Sequence, residues 1–261
     1  MTPEQRAGYE DRGYVIVRGL FEKHELEPWL ERLRAIAEGV VKPAPGMTVM
    51  RDVMVAKGVV APETPLQAVA KLQDFHEDPV LFAYVTDPRM LDWAEAFVGP
   101  DVKAIHNMLI SKPPGVDGRH PLHQDLLYFP FRPAEAIVGA WTALEPSTRE
   151  NGCLVAVPGT HRGALLPHQN PDWEYLNFAY FGAVGVGAET ERVHLEMDPG
   201  DTVFFHPLLL HGSGRNRTAG FRRAISTHYA SARCRFIAGA EPLGNRRPYT
   251  LVRGRDHPDC I

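Results

Sequence analysis

The residues best suited to chemistry in this chain are two histidines and an aspartate. His123 and Asp125 are separated by one residue, and His211 lies far downstream in a glycine-rich segment. Two neutral imidazoles and one carboxylate can occupy one face of an octahedral iron(II) ion, which leaves the other positions open for a co-substrate and dioxygen. The pattern therefore predicts a non-heme iron site whose ligands are His123, Asp125 and His211.

An arginine downstream of the distal histidine extends this pattern. Arg222 lies in a predicted strand, and its guanidinium can hold the far carboxylate of a 2-oxo diacid through two parallel hydrogen bonds. The neighbouring Arg223 would face the other side of the strand, because side chains alternate along an extended chain. The spacing from His211 favours Arg222 as the inward residue.

Each of these residues also has an ordinary structural interpretation. A single histidine is more often a hydrogen-bonded core or surface residue than a ligand, and a His-x-Asp pair occurs often by chance. Adjacent arginines usually include at least one solvated charge. The complete combination nevertheless favours a metal site. Zinc accepts the same ligand types, but a zinc hydrolase has no need of Arg222.

The composition limits the classes of protein to consider. The chain has 261 residues, which suits one large domain, and its net charge of −4 gives no general attraction to nucleic acid or anionic membranes. No apolar run is long enough to span a bilayer, and residues 1–10 are too polar for a secretory signal. We expect a cytoplasmic protein, because the cysteines are scattered and odd in number, which indicates a reducing compartment. They are Cys153, Cys234 and Cys260.

The predicted elements run from helices to strands. An apolar run over residues 13–18 predicts a strand, and helical spacing predicts helices over 25–38 and 87–98. Short β-rich runs broken by turn residues follow, at 102–110, 136–144, 153–157, 192–197, 202–205, 223–229 and 235–238. This order predicts a mainly β protein with N-terminal helices, whose strands form a jelly roll, or double-stranded β-helix.

We predict a single domain over residues 1–261, with 1–100 as a helical N-terminal support and 101–238 as the jelly-roll core. The stretch 163–191 has weak periodicity and many aromatic residues, which is typical of a lid or binding loop. On one extended strand, His123 and Asp125 would point to the same side, and His211 would come from elsewhere in the sheet.

Several long motifs resemble the phytanoyl-CoA dioxygenase family. The longest are HPLHQDLLYFPFRP from His120, NGCLVAVPGTH from Asn151 and GDTVFFHPLLLHGSG from Gly200. The strand sequence GFRRAIS from Gly220 belongs to the same pattern, as do KLQDF and MLISKPP further upstream. The similarity runs from about Tyr14 to about Ile237, and its motifs are far more specific than a bare ligand pattern.

The resemblance implies an iron(II)- and 2-oxoglutarate-dependent oxygenase with a double-stranded β-helix fold. It places the two histidines and Asp125 on iron. It also places Arg222, assisted by Ser213, on the distal carboxylate of 2-oxoglutarate. Further residues match positions that line the co-substrate site in this family: Lys71, Met108, Gln124 and Trp141. Without the resemblance, the lysine is equally a solvated charge and the tryptophan equally a core residue.

The implied reaction uses dioxygen to hydroxylate a C–H bond while 2-oxoglutarate becomes succinate and carbon dioxide, with ascorbate sustaining activity. Asp125 fills the position that related halogenating enzymes leave open for chloride, which favours hydroxylation. The resemblance suggests carbon 2 of a branched fatty acyl-CoA, such as phytanoyl-CoA, as the target. Several arginines flank the motifs and could form a basic patch for the phosphates of such a substrate: Arg119, Arg162, Arg215, Arg217 and Arg223.

Two alternatives stay open. The same chemistry could act on a small natural product or metabolite, a choice that we expect the 163–191 stretch to make. The chain could also keep the fold as a non-catalytic, cupin-like binding protein, although the intact ligand set and Arg222 favour an enzyme. The tail after Gly239 does not match the family pattern, and both its role and the oligomeric state are open.

Overall fold

A computed structural model of the chain describes residues 1–175, 177, 179–240 and 249–261. The α-helices within these ranges all precede residue 100: α1 (Pro3–Arg12), α2 (Lys23–Ala37), α3 (Val53–Ala56), α4 (Pro79–Val85) and α5 (Pro88–Val98). Both predicted helices are present, as α2 and α5, and Asp87 caps α5 by accepting a hydrogen bond from the Arg89 amide. None of the helices in the described part of the chain has the length and apolarity needed to cross a membrane.

The remaining regular structure consists of short strands joined by turns, as the sequence predicts. In chain order the strands are β1 (Tyr14–Val17), β2 (Thr48–Arg51), β3 (Val69–Gln73), β4 (Val102–Lys112), β5 (His120–His123), β6 (Phe131–Arg132), β7 (Ile137–Ala143), β8 (Leu154–Ala156), β9 (His168–Gln169), β10 (Gly182–Ala183), β11 (Val193–Leu195), β12 (Thr202–Phe205), β13 (His211–Ser213), β14 (Arg222–Ser231), β15 (Arg235–Phe236) and β16 (Thr250–Arg253).

Two antiparallel sheets form the body of the fold. The major sheet has the order β1-β12-β7-β14-β4-β3-β2, with β16 also paired to β4, and the minor sheet has the order β11-β8-β13-β5. One apolar cluster joins their inner faces, because Trp141 and Phe205 of the major sheet pack with Leu154 and Leu195 of the minor sheet. This arrangement confirms the predicted mainly β jelly roll with N-terminal helices.

The outer face of the major sheet is covered by helices. Leu33 of α2 and Tyr84 of α4 share one apolar cluster with Ile225 and Tyr229 of β14. The Tyr229 hydroxyl donates to the Val85 carbonyl at 2.8 Å, which ties the strand to the end of α4. Residues 1–100 also supply β1, β2 and β3 to the same sheet, so this part is not only helical. The division of the chain into support, core and lid stays a prediction.

Strand β14 connects the two faces of the major sheet. Alternate side chains along it point in opposite directions, so that Ile225 and Tyr229 enter the helical layer. The side chains that point the other way line the space between the sheets; they include Arg222, Ser226 and His228. The inner face of β14 therefore places polar groups along one side of that space.

The predicted metal ligands lie where two strands of the minor sheet meet, with one departure from expectation. His123 ends β5 and pairs in register with His211 at the start of β13. Asp125 does not continue the strand, because the chain enters a 3₁₀ turn over Asp125–Tyr128. The Leu126 amide donates to the Pro207 carbonyl at 3.0 Å, and this bond draws the chain away from the extended conformation. The prediction that both ligands share one strand is therefore wrong, although they still converge.

Candidate metal centre and adjoining cavity

The three predicted ligands form one compact, buried group. The candidate ligand atoms of His123, Asp125 and His211 all lie within 4.8 Å of one another. The carboxylate is central, with Oδ1 at 3.1 Å from His123 Nε2 and Oδ2 at 3.7 Å from His211 Nε2. Two imidazoles and one carboxylate on one side of a cavity suit iron(II) with open positions.

The hydrogen bonds of the two imidazoles indicate which nitrogen faces the carboxylate without a proton. The Nδ1 atom of His123 lies 2.9 Å from the Pro121 carbonyl, and that of His211 lies 3.0 Å from the Leu209 carbonyl. A carbonyl only accepts, so each neutral ring carries its proton on Nδ1 and presents a bare Nε2 lone pair. Burial lowers the pKa of His211 to about 4, which keeps that ring neutral near pH 7. Lone pairs that face the Asp125 carboxylate fit a cation between them.

A fourth histidine supports Asp125 from β14. His228 Nε2 lies 2.7 Å from Asp125 Oδ2 and donates to it. Burial alone would raise the pKa of Asp125, but the nearby imidazoles of His211 and His228 outweigh it and hold that pKa well below its usual range. The carboxylate is therefore ionised and fixed in orientation, as a metal ligand requires.

Arg222 lies fully buried in the same cavity. Its side chain is 1% exposed, and its guanidinium lies over the Trp141 ring at 5.4 Å. Within the described residues, Nε and Nη1 have no hydrogen-bond partner. Burial lowers the pKa of Arg222 to about 10, so the group stays charged near pH 7. A buried cation with unsatisfied donors is costly unless an anion pairs with it.

Two lysines lie near this position and add N–H donors to the space between the sheets. Lys112, opposite Arg222 across β4 and β14, donates from Nζ to Ser213 Oγ at 2.7 Å. Burial, together with the charge of Arg222, lowers the pKa of Lys112 well below its usual range. Lys71 on β3 is also buried, and its Nζ lies 5.1 Å from the ring centroid of Tyr180. The space between the sheets is thus suited to a small dianion.

The other predicted site residues fall into two groups. Met108 and Trp141 flank Ser226 from the strands on either side and line the cavity together with Ser213. Gln124 is not among the lining residues. Its side chain donates to the Leu208 carbonyl at 2.8 Å and accepts from the Leu166 amide at 2.8 Å. It therefore ties the start of the 163–191 stretch to the loop before His211.

The cavity has a volume of about 480 Å³ and continues from the metal ligands to the surface. One side is formed by β2 and β3, and the facing side by aromatic residues of the 163–191 stretch. Tyr180 of that stretch packs against His120, with ring centroids 4.1 Å apart. The Tyr128 hydroxyl donates to the Ala179 carbonyl at 3.2 Å. Residues 176 and 178 of this stretch, and 241–248 of the tail, lie outside the described residues.

Sequence reasoning missed Lys112 and His228, for which a signal was present. His228 has the same strand parity as Arg222, and Lys112 lies inside a recognised motif beside the predicted strand. The predicted basic patch is not a single surface. Arg119 and Arg215 share Asp117, whereas Arg223 pairs with Glu145. Arg162 donates to the Asp11 carbonyl at 2.6 Å, and Arg217 is exposed.

Comparisons with known proteins agree with this geometry. The family model described as Phytanoyl-CoA dioxygenase (PhyH) matches residues 9–224. A probable phytanoyl-CoA dioxygenase of Caenorhabditis elegans is 49% identical over 245 residues, covering 91% of this chain and 78% of the relative. The peroxisomal phytanoyl-CoA dioxygenase of Homo sapiens is 49% identical over 241 residues, covering 91% and 70%.

Among solved structures, the fold is similar to that of the non-heme alpha ketoglutarate dependent epimerase SnoN from nogalamycin biosynthesis. The TM-score is 0.68 at 24% identity, covering 96% of this chain and 98% of SnoN. This likeness concerns the jelly-roll fold alone. The family match and the 49% identities extend further, because they cover the ligand-bearing strands as well as the helical layer. On these grounds the chain belongs to the phytanoyl-CoA dioxygenase family and is a dioxygenase.

Proposed function

We propose that the protein hydroxylates carbon 2 of a branched fatty acyl-CoA of the phytanoyl-CoA type, using iron(II), 2-oxoglutarate and dioxygen. The observation that carries the proposal is the buried Arg222, unpaired within the described residues, in the same cavity as His123, Asp125 and His211. The substrate class comes from the relatives, which are named as phytanoyl-CoA dioxygenases.

The three ligands have separate tasks in this proposal. His123 and His211 offer Nε2 lone pairs because their Nδ1 protons are taken by backbone carbonyls. Asp125 supplies the charge, and His228 keeps that carboxylate in place by its hydrogen bond. When bound, iron(II) would supply the centre at which dioxygen, the oxidant, takes two electrons from 2-oxoglutarate and two from the substrate C–H bond, so that one oxygen atom enters succinate, with loss of carbon dioxide, and the other enters the product.

The co-substrate is held by the polar end of the cavity. Arg222 pairs with the distal carboxylate of 2-oxoglutarate, and Ser213 donates to the same group while it accepts from Lys112. Met108 and Trp141 are the apolar walls, and Lys71 adds positive charge near Tyr180. We assign Gln124 a supporting task instead, since its amide is already bonded to backbone groups.

Exclusion of water is the task of the 163–191 stretch, which we propose acts as a lid. Tyr180 lies over His120, and Tyr128 ties the lid to the turn that carries Asp125. A closed lid strengthens electrostatic interactions at the metal and protects the reaction from solvent. Ascorbate sustains turnover by keeping iron reduced. The cytoplasmic location stays a prediction from the sequence, while the human relative is named as peroxisomal.

Product analysis by mass spectrometry tests the function. The purified protein is given iron(II), ascorbate, 2-oxoglutarate and phytanoyl-CoA, and succinate is followed in parallel. One oxygen atom added to the acyl-CoA, coupled to succinate, supports the full proposal. Succinate without hydroxylated acyl-CoA favours a small natural product or metabolite as the substrate. If folded, iron-loaded protein forms neither succinate nor hydroxylated acyl-CoA, the result favours a non-catalytic binding protein.

A further inference from the structure

The outer end of the cavity carries basic and aromatic side chains that the oxygenase chemistry does not use. Arg51 of β2, Arg119, Trp173 and Tyr175 line it, and Lys57 Nζ lies 6.0 Å from the Tyr175 ring centroid. We call these five residues the mouth cluster. They come from three separate segments of the chain, so their convergence is visible only in the folded structure.

Arg119 is held in a fixed orientation within the mouth cluster. Asp117 accepts hydrogen bonds from Arg119 Nε at 2.6 Å and from Arg119 Nη2 at 2.7 Å. The carboxylate therefore binds one edge of the guanidinium. The guanidinium carbon lies 4.2 Å from the centroid of the Trp173 ring. The Nη1 edge has no hydrogen-bond partner within the described ranges. A guanidinium held on an aromatic ring with one free edge is prepared to receive an anion.

The charge of the mouth is locally positive although the chain has a net charge of −4. The basic residues at the mouth are Arg51, Lys57, Arg119 and Arg215, and the acidic ones are Asp52, Asp117 and Glu174, which is hydrogen-bonded to Tyr175. Arg215 also binds Asp117, at 2.9 Å, so two guanidiniums share one carboxylate. Neither Arg51 nor Lys57 forms an ion pair with any described carboxylate. An anionic group brought to this opening therefore meets a small net positive charge.

We propose that the mouth cluster binds the 3′-phosphoadenosine diphosphate end of a CoA thioester, while the acyl end reaches the metal ligands. The phosphates pair with Arg51, Lys57 and Arg119, and the purine ring stacks on the aromatic side chains. The proposal rests on the proposed function, since it takes the acyl group to be the part that is hydroxylated. It adds the residues that recognise the carrier.

The test compares one branched acyl group on two carriers, CoA and pantetheine, the second of which lacks the nucleotide. In Arg119→Ala, kcat/KM for the CoA thioester relative to the pantetheine thioester should fall about tenfold, the effect of losing one strong charged hydrogen bond. The double variant Arg51→Ala, Lys57→Ala should lower the same ratio. Arg34→Ala, on the exposed face of α2, is the charge-matched control and should keep the ratio of the unsubstituted protein. Thermal unfolding checks that each variant is folded.

The outcomes separate this inference from the proposed function. Hydroxylation of both thioesters with equal kcat/KM, unaffected by the mouth variants, would overturn the inference and leave acyl hydroxylation standing. If neither thioester is hydroxylated although 2-oxoglutarate is consumed, the acyl-CoA function fails. Calorimetry with adenosine 3′,5′-bisphosphate then tests the inference. If the nucleotide binds and Arg119→Ala weakens the binding, the result supports a nucleotide site. If the nucleotide does not bind, the result excludes such a site.

Discussion

The two ends of the cavity are built in different ways. At the inner end, the ligand histidines and Arg222 stand on paired strands, and each histidine is further fixed by a backbone carbonyl. At the mouth, Trp173 and Tyr175 lie in a long loop segment and are positioned by side-chain contacts with Arg119 and Lys57. Under the proposed function, strand register thus positions the groups that carry out the chemistry, whereas loop residues contact the substrate.

Loss of Asp125 should have the largest effect on the inner end. Asp125→Ala removes the anionic member of the candidate ligand group described above, and we expect turnover to fall by more than about 100-fold, the upper range for losing a residue that merely supports a ligand. Iron binding measured by calorimetry should be lost in parallel with succinate formation. Asp92→Ala, on the exposed side of α5, is the control. Undiminished hydroxylation by Asp125→Ala would contradict the ligand assignment.

Arg222 and Arg223 offer a matched pair on opposite faces of β14. Arg222→Gln should raise KM for 2-oxoglutarate about 100-fold, because two charged hydrogen bonds to its carboxylate are lost. Arg223→Gln loses only the pair with Glu145 and should leave that KM close to its original value. Initial-rate kinetics with varied 2-oxoglutarate measure both. Equal effects of the two substitutions would show that the strand face does not determine the role.

Acid should weaken the inner end through the loop before His211. The Leu208 amide donates to His206 Nδ1 at 3.1 Å, and burial lowers the pKa of His206 from 6.5 to about 4. Between pH 6.5 and about pH 4, His206 is protonated in the unfolded chain but not in the folded chain. The free energy of unfolding should therefore fall as pH drops through this window, by at most about 1.4 kcal/mol per pH unit for this group.

Urea unfolding at pH 7 and pH 5 measures this effect. His206→Gln should reduce the loss of stability between the two pH values, whatever its stability at pH 7. His24→Gln removes an exposed histidine on α2 and should leave the loss unchanged. An identical pH dependence in His206→Gln and the unsubstituted protein would exclude His206 as a source.

The smallest effect is expected at the contact between the two ends. Tyr128→Phe removes the hydroxyl that donates to Ala179, a bond of about 1 kcal/mol, so KM for the acyl substrate should rise about fivefold or less. Iron affinity should not change, since the turn that bears Asp125 keeps its backbone bonds. Tyr84→Phe removes a hydroxyl bound to Thr142 in the core and should lower stability without raising KM. A change in iron affinity in Tyr128→Phe would contradict the assignment of this contact to substrate binding alone.

Residue type and spacing were sufficient to select three candidate metal ligands that converge in the fold and the arginine that points inward. The side chains at 123, 125, 211 and 222 are chemically distinctive, and strand parity separates Arg222 from Arg223. The 3₁₀ turn at Asp125 could not be predicted, because it depends on a hydrogen bond from Leu126 to Pro207, far along the chain. Sequence patterns relate residues that are close along the chain, whereas Leu126 and Pro207 are close only in the folded structure.

The same reason explains why the contacts of polar residues outside the candidate ligand set could not be predicted. Gln124 lies between two ligands, yet its amide is bonded to backbone groups of two distant segments. Of the five arginines suggested for a basic patch, Arg119 and Arg215 share Asp117, Arg223 pairs with Glu145, and Arg162 donates to the carbonyl of Asp11. A charge in the sequence indicates a capacity to pair, and only the fold decides with what.

Strand β14 makes the protein sensitive to one particular kind of genetic change. Its odd-numbered residues Ile225 and Tyr229 face the helices, and its even-numbered residues Arg222, Ser226 and His228 face the cavity. Insertion or deletion of a single codon at the start of this strand would exchange the two sets at once, placing a guanidinium in the apolar layer and aliphatic groups beside the metal ligands. Among members of this family, β14 should therefore vary in sequence far more readily than in length.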